Sequence, residues 1–210
     1  MEQPLPKIDH YWQDPMFEEG YFTYPNLYAT MVRHFPTNSH FVEVGSWKGR
    51  SAAHMAVEIN NSGKSIKFDC VDTWAGSETE DAHQNNYCVK NGSLYEKFLS
   101  NTEAVKNIIT PKRGDSVQMS MTYEDDSLDF VFVDGDHRYE FVKADLESWV
   151  PKMKIGGIIA GHDYAWSTDV RKAVHEFFGE ADGKYEDRYG VGYASYDDPW
   201  KEGCWIVNIQ

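Results

Sequence analysis

The chain holds 210 residues, with 20 Lys and Arg against 34 Asp and Glu and a formal net charge of −14. Hydrophobic residues at 41% and aromatics at 15% supply a packed core and exclude a wholly disordered chain, while the acidity opposes general affinity for nucleic acid or anionic lipid. Cys70, Cys88 and Cys204 are too scattered for a disulfide framework or thiolate zinc site, and no run is long and apolar enough for a membrane span, so a soluble, cytoplasmic protein is expected.

Residues 1–37 make an aromatic leader in which Tyr28, Met31 and Val32 predict a helix packed on the rest of the chain. Residues 38–210 are expected to form a single domain, since no repeat or Pro/Ser-rich linker divides them. Short β-rich runs then alternate with amphipathic stretches. Strands are predicted over residues 40–44, 66–71, 107–112, 128–133 and 157–161, and helices over 49–58, 93–106, 138–150 and 168–178. Tyr139, Val142, Leu146 and Trp149 form the clearest helical stripe. This order predicts a doubly wound α/β fold, a mostly parallel sheet with helices on both faces. The polar stretch 75–91 has no clear period and reads as a loop or lid. Past Phe178, the aromatic, glycine-punctuated residues 185–196 and the run 204–209 predict a closing antiparallel hairpin.

In an open parallel sheet, ligands bind beyond the carboxyl ends of the strands. The first predicted strand ends in Glu43-Val44-Gly45-Ser46-Trp47-Lys48-Gly49-Arg50-Ser51. Gly45 permits a tight turn, and Gly49 and Ser51 open a helix whose amides can face a polar ligand. Asp72 ends the second strand, where a carboxylate can accept both hydroxyls of a ribose; alone, it would as readily cap a turn. A three-glycine dinucleotide fingerprint and a phosphate-cradling Walker loop are both missing, which leaves a cofactor with ribose and adenine but no pyrophosphate. Asp115 and Ser116 follow the third strand and could accept the adenine amino group, cap the next helix, or do both.

The fourth strand runs into Asp134-Gly135-Asp136-His137, and the fifth into His162-Asp163. Neighbouring strand tips so composed suggest a divalent-cation site. Oxygen-rich ligation would favour Mg²⁺, Ca²⁺ or Mn²⁺, and dominant imidazole Zn²⁺, Fe²⁺ or Mn²⁺.

These motifs together resemble the class I S-adenosylmethionine-dependent methyltransferases. Glu43-Val44-Gly45-x-x-x-Gly49 looks like their first motif, Asp72 like the ribose acid, Asp115-Ser116 like the adenine contact, and Val133-Asp134-Gly135-Asp136-His137 like the fourth-strand motif. The last run, with Gly161-His162-Asp163-Tyr164, is similar to a group related to macrocin-type and catechol-type metal-dependent O-methyltransferases. The resemblance implies a seven-stranded, Rossmann-like sheet and S-adenosyl-L-methionine as cofactor, held by Glu43, Gly45, Gly49, Ser51, Asp72, Trp74, Asp115, Ser116 and Asp134. It also implies a divalent metal, magnesium first, on Asp134, His162 and Asp163. His137 stands where catechol-type relatives carry a lysine base, and with Asp136 it is the expected proton acceptor.

The expected reaction is methyl transfer to a hydroxyl of a small-molecule acceptor, with the stretch 75–91 and the leader closing over it. Two other classes fit part of the pattern. A metallohydrolase would use the Asp/His cluster to activate water but leaves Gly45, Gly49 and Asp72 without a role. A non-catalytic cofactor-binding module would use the aromatic surface for a partner, and assembly with further copies of the chain stays open.

Overall fold

The computed structural model describes residues 6–17, 22–78, 80–179, 189–193 and 203–210, the stretch 189–193 through its backbone. After a 3-10 turn at Pro15–Phe17, α1 spans Pro25–His34, β1 His40–Val44 and α2 Arg50–Ser62. β2 (Lys67–Asp72) is followed by α3 (Asp81–Asn85), α4 (Tyr87–Lys90), α5 (Leu94–Asn101) and β3 (Ile109–Arg113). Then come α6 (Ser116–Ser120), β4 (Leu128–Val133), α7 (Tyr139–Trp149), β5 (Met153–Gly161), α8 (Thr168–Phe178), β6 (Tyr189–Tyr193) and β7 (Trp205–Ile209).

The strands form one mixed sheet in the order β3-β2-β1-β4-β5-β7-β6. β1 to β5 pair in parallel, and β7 runs antiparallel to both β5 and β6, giving the expected C-terminal hairpin. Residues 185–188 and 194–196, also read as part of that hairpin, lie outside the described residues. Strand side chains alternate between two faces. Phe41, Phe68, Phe130, Phe132 and Ile158 pack with residues of α1, α2 and α5 on one face. Val42, Val44, Val131, Val133 and Ile159 pack with α7 and α8 on the other. No helix among the described residues is long and apolar enough to cross a membrane.

Local chemistry sets the helix ends. Pro25 occupies the first turn of α1, where its missing N–H costs nothing. The carbonyls that end α1 are gathered by one side chain: Lys64 Nζ donates to Val32 O at 2.6 Å, Arg33 O at 2.9 Å and Phe35 O at 2.6 Å. Ser167 caps α8 by accepting from the Val170 amide at 3.2 Å. Ser167→Ala is expected to cost about 1 kcal/mol and to lower the melting temperature by about 3 °C; an unchanged melting curve would mean that α8 does not depend on its cap.

Several predicted boundaries shift. The helix predicted over 93–106 stops at Asn101, because the Thr102 hydroxyl donates back to Phe98 O at 2.8 Å and a 3-10 turn follows. Ile108 N closes onto Val105 O, so β3 begins at Ile109 instead of 107. β5 starts four residues early, since Met153 pairs with Leu128 across a bulge. The stretch 75–91 carries α3 and α4, which are too short to show a period.

Candidate active site

Because β1, β2, β4 and β5 are parallel and in close register, their carboxyl ends meet at one edge: Val44 pairs with Val71 and Val133, and Val133 with Gly161. Gly45 N donates to Val71 O at 2.9 Å, and Asp134 N to Val44 O at 2.8 Å. Gly45 has φ +92, and a Cβ there would overlap the carbonyl group of Asp134. Only glycine fits that turn.

A cavity of about 370 Å³ opens beside it, lined by Gly45, Asp72, Asp115, Ser116, Asp134 and Asp145 among others. Asp72 Oδ2 accepts from Trp47 N at 2.8 Å and Oδ1 from Trp74 N at 2.6 Å. Burial pushes the Asp72 carboxyl up, while those amides favour its charge. Asp115 caps α6 by accepting from Gln118 N at 3.1 Å, and Ser116 Oγ accepts from Trp149 Nε1 at 2.8 Å. Both still face the cavity, so capping and ligand contact are compatible at these positions.

A second cavity of about 210 Å³ adjoins the first. Trp47, His83, Asp134 and Gly135 line both, and the Trp47 and His83 rings stack with centroids 4.0 Å apart. The second is walled by Phe17, Phe22, Tyr24 and Ser51 and ends at His137, His162 and Asp163. One oxygen or nitrogen each of Asp134, His162 and Asp163 lie within 4.8 Å of one another. His162 Nδ1 faces Asp163 Oδ2 at 3.1 Å and Asp134 Oδ1 at 3.7 Å. Two carboxylates and an imidazole converging in this way suit a divalent cation.

His137 joins the same cluster: Nε2 lies 2.9 Å from Asp163 Oδ2 and 3.7 Å from Asp134 Oδ1, and Nδ1 lies 3.4 Å from Glu80 Oε1. Burial disfavours its charge, but the hydrogen bonds and charges of Asp134 and Asp163 prevail and raise its pKa to about 11. This arrangement favours the charged form of His137. The same contacts from His137 and His162 outweigh burial at Asp163 and hold its carboxyl well below the usual range. Asp136, the other expected proton acceptor, lines the larger cavity and not the smaller, and Arg138 claims both its oxygens, donating Nε to Oδ1 at 2.9 Å and Nη2 to Oδ2 at 2.7 Å. Against some burial, that pairing lowers the Asp136 pKa, which is the wrong direction for a base.

Three expected cofactor contacts line neither cavity. Glu43 shares the strand face of Phe41 and is buried beneath α1, where the Tyr28 hydroxyl donates to Oε2 at 2.7 Å. Gly49, at φ +84, gives a left-handed turn into α2, and a Cβ there would press on Thr102 and Phe98. Trp74 is buried against Tyr95 and Phe98, and its Nε1 donates to Trp47 O at 2.9 Å, bracing the turn after β1 from behind. Ser51 reaches the smaller cavity and not the larger.

Burial raises the Glu43 pKa from 4.5 to about 7, against hydrogen bonds that favour its charge. Folding therefore favours the protonated acid, and its contribution is lost as pH rises from about 4.5 through about 7. Glu43→Gln removes that loss. Denaturant unfolding is expected to show the variant gaining on the parent by roughly 3 kcal/mol between pH 4.5 and pH 8; a constant difference would mean that Glu43 folds charged.

Two leader residues that sequence reasoning missed touch the cluster. Thr23 Oγ1 hydrogen-bonds His162 Nε2 at 2.8 Å, and the Tyr24 hydroxyl donates to Asp134 Oδ2 at 2.7 Å. Burial first, then the charge of Asp134, raises the Tyr24 pKa well above its ordinary value, so the phenol stays a donor. Glu80 and His83, in the stretch expected to be a loop, were also missed.

A family model described as a methyltransferase domain matches residues 42–164. Among curated proteins, the chain is 28% identical over 131 residues to an uncharacterized protein, y4gI, of Sinorhizobium fredii. That match spans 62% of this chain and 13% of the relative's length. Among solved structures, the chain is similar to the O-methyltransferase NovP at 17% identity and TM-score 0.62, over 89% of this chain and 78% of that one. It is also similar to the O-methyltransferase from Bacillus cereus in complex with SAH, at 16% identity and TM-score 0.60, over 90% and 81%. At such identities the likeness is one of fold.

Proposed function

This chain belongs to the methyltransferase domain family, and on that premise we propose that it moves a methyl group from S-adenosylmethionine to a hydroxyl oxygen of a small-molecule acceptor, assisted by a divalent cation. The observation that carries this reading is the pair of adjoining cavities with Asp134 in their common wall. The structural neighbours that are O-methyltransferases, one with SAH bound, support the choice of donor and of oxygen. Gly45 lets the tip of β1 pack directly on the Asp134 backbone, which keeps the turn after β1 and Asp134 side by side in the wall of the larger cavity.

In this reading Asp72 binds the ribose, Asp115 and Ser116 the adenine, and residues 38–210 form the catalytic domain with residues 1–37 as its leader. Asp134, His162 and Asp163 would hold the cation. When bound, the donor supplies an electrophilic methyl group and the cation supplies Lewis acidity at the acceptor oxygen. The chain contributes alignment. Trp47 and His83 line both cavities and their stacked rings limit how far donor and acceptor can drift apart. Phe17, Phe22 and Tyr24 give the acceptor an apolar seat. His137 lines the acceptor cavity, and it would serve as the base once Asp134 and Asp163, which hold its proton, face a cation instead.

The test is calorimetry with S-adenosylhomocysteine, followed by labelled methyl transfer to a panel of phenols and hydroxylated sugars with magnesium, manganese or EDTA. Expected are saturable binding and transfer that EDTA suppresses. No binding of S-adenosylhomocysteine would overturn the reading, and transfer untouched by EDTA would remove the cation from it.

A further inference from the structure

Thr23 and Tyr24 are consecutive, yet their hydroxyls reach the tips of two different strands. Thr23 Oγ1 meets His162 Nε2 at 2.8 Å, and Tyr24 OH meets Asp134 Oδ2 at 2.7 Å. In each case the leader takes the atom that points away from the cluster. The atoms left over, His162 Nδ1 and Asp134 Oδ1, are the two that approach each other at 3.7 Å. Asp163 Oδ2, 3.1 Å from the same Nδ1, completes the set.

Resting on the proposed cation site, we propose that Thr23 and Tyr24 are positioning residues that aim two of the three ligands at a divalent cation. A histidine binds metal through one ring nitrogen, and a hydrogen bond at the other fixes which nitrogen that is. Nδ1 donates to Asp163 Oδ2 at 3.1 Å, and with the Thr23 hydroxyl accepting from Nε2–H it is the nitrogen that would give up its proton and turn its lone pair to a cation. The Tyr24 phenol does the equivalent for Asp134: it occupies one oxygen and leaves the other to the cluster. The Tyr24 ring is buried, with its centroid 4.4 Å from Phe132 and 4.8 Å from His162, so the phenol has little freedom to donate elsewhere. The leader thus supplies the outer layer of a site whose ligands all come from the sheet edge.

The experiment is a manganese titration of the full chain without donor or acceptor, followed by electron paramagnetic resonance of free Mn²⁺. Thr23→Val and Tyr24→Phe are expected to weaken Mn²⁺ binding by about 10- to 100-fold each, while Thr23→Ser restores it. S-adenosylhomocysteine affinity should stay within about threefold, since neither residue lines the larger cavity. Nitrogen NMR of His162 in the magnesium-loaded chain adds a readout that a packing role would not move: Nε2–H alone in the parent and in Thr23→Ser, and a ring partly protonated at Nδ1 in Thr23→Val. Thr23 is exposed, so its variants fold even if Tyr24→Phe does not. Unchanged Mn²⁺ affinity in Thr23→Val overturns the positioning role and leaves the cation reading standing. A parent chain that binds S-adenosylhomocysteine but no Mn²⁺ overturns both this role and the cation, with the transferase reading intact.

Discussion

Alanine at Gly45 is expected to abolish measurable S-adenosylhomocysteine binding and to lower the melting temperature by about 10 °C. A left-handed φ of +92 strains any residue with a Cβ, and here the added carbon would also overlap the backbone carbonyl of Asp134. Backbone cannot rotate aside as a side chain can, so β1 and β4 must part at their tips. Strain and overpacking together cost about 3 to 4 kcal/mol, which for a chain of this size is a shift of about 10 °C. The opened tips misplace Asp134 and the turn that faces the larger cavity, so binding fails beyond what the lost stability explains. Differential scanning fluorimetry and calorimetry check this together; parent-like affinity in a destabilised variant would separate the turn from the cofactor.

Asp134→Asn should leave folding nearly intact and reduce turnover by about a thousandfold. Asparagine keeps the shape and one carbonyl oxygen for the Tyr24 hydroxyl. It loses the charge that faces His137 Nε2 and His162 Nδ1, each at 3.7 Å. That charge is half of what the cluster offers a cation, Asp163 supplying the rest. The informative comparison is kcat against donor affinity, because Asp134 lines both cavities but carries chemistry at only one. A thousandfold fall in kcat with a donor dissociation constant within about threefold is expected; equal loss of both would mean that the substitution distorts the whole edge.

Much of this architecture is legible in local pattern. Val44, Asp134 and His162 could be placed at strand tips because short β-branched runs end abruptly in Gly and Asp. The inward turn of Glu43 was legible too: period-two alternation puts it on the face of Phe41, and the structure covers that face with α1. Reading it as a ligand contact gave motif position more weight than strand geometry. What local pattern could not carry is contact at long range. Tyr24 meets Asp134 across 110 positions and Thr23 meets His162 across 139, and no spacing rule joins them. Nor could it show that Arg138 would claim Asp136, or that Trp74 would turn inward, since Asp and Trp at turns suit either role.

Lys64 ties down one end of α1. If α1 were to swing outward, three carbonyl oxygens and an ammonium would lose their partners at once. That penalty anchors the C-terminal end of α1 to the turn that follows α2. Tyr24, which immediately precedes that helix and lines the smaller cavity, thus stands next to an element whose far end is tied down by a single ammonium.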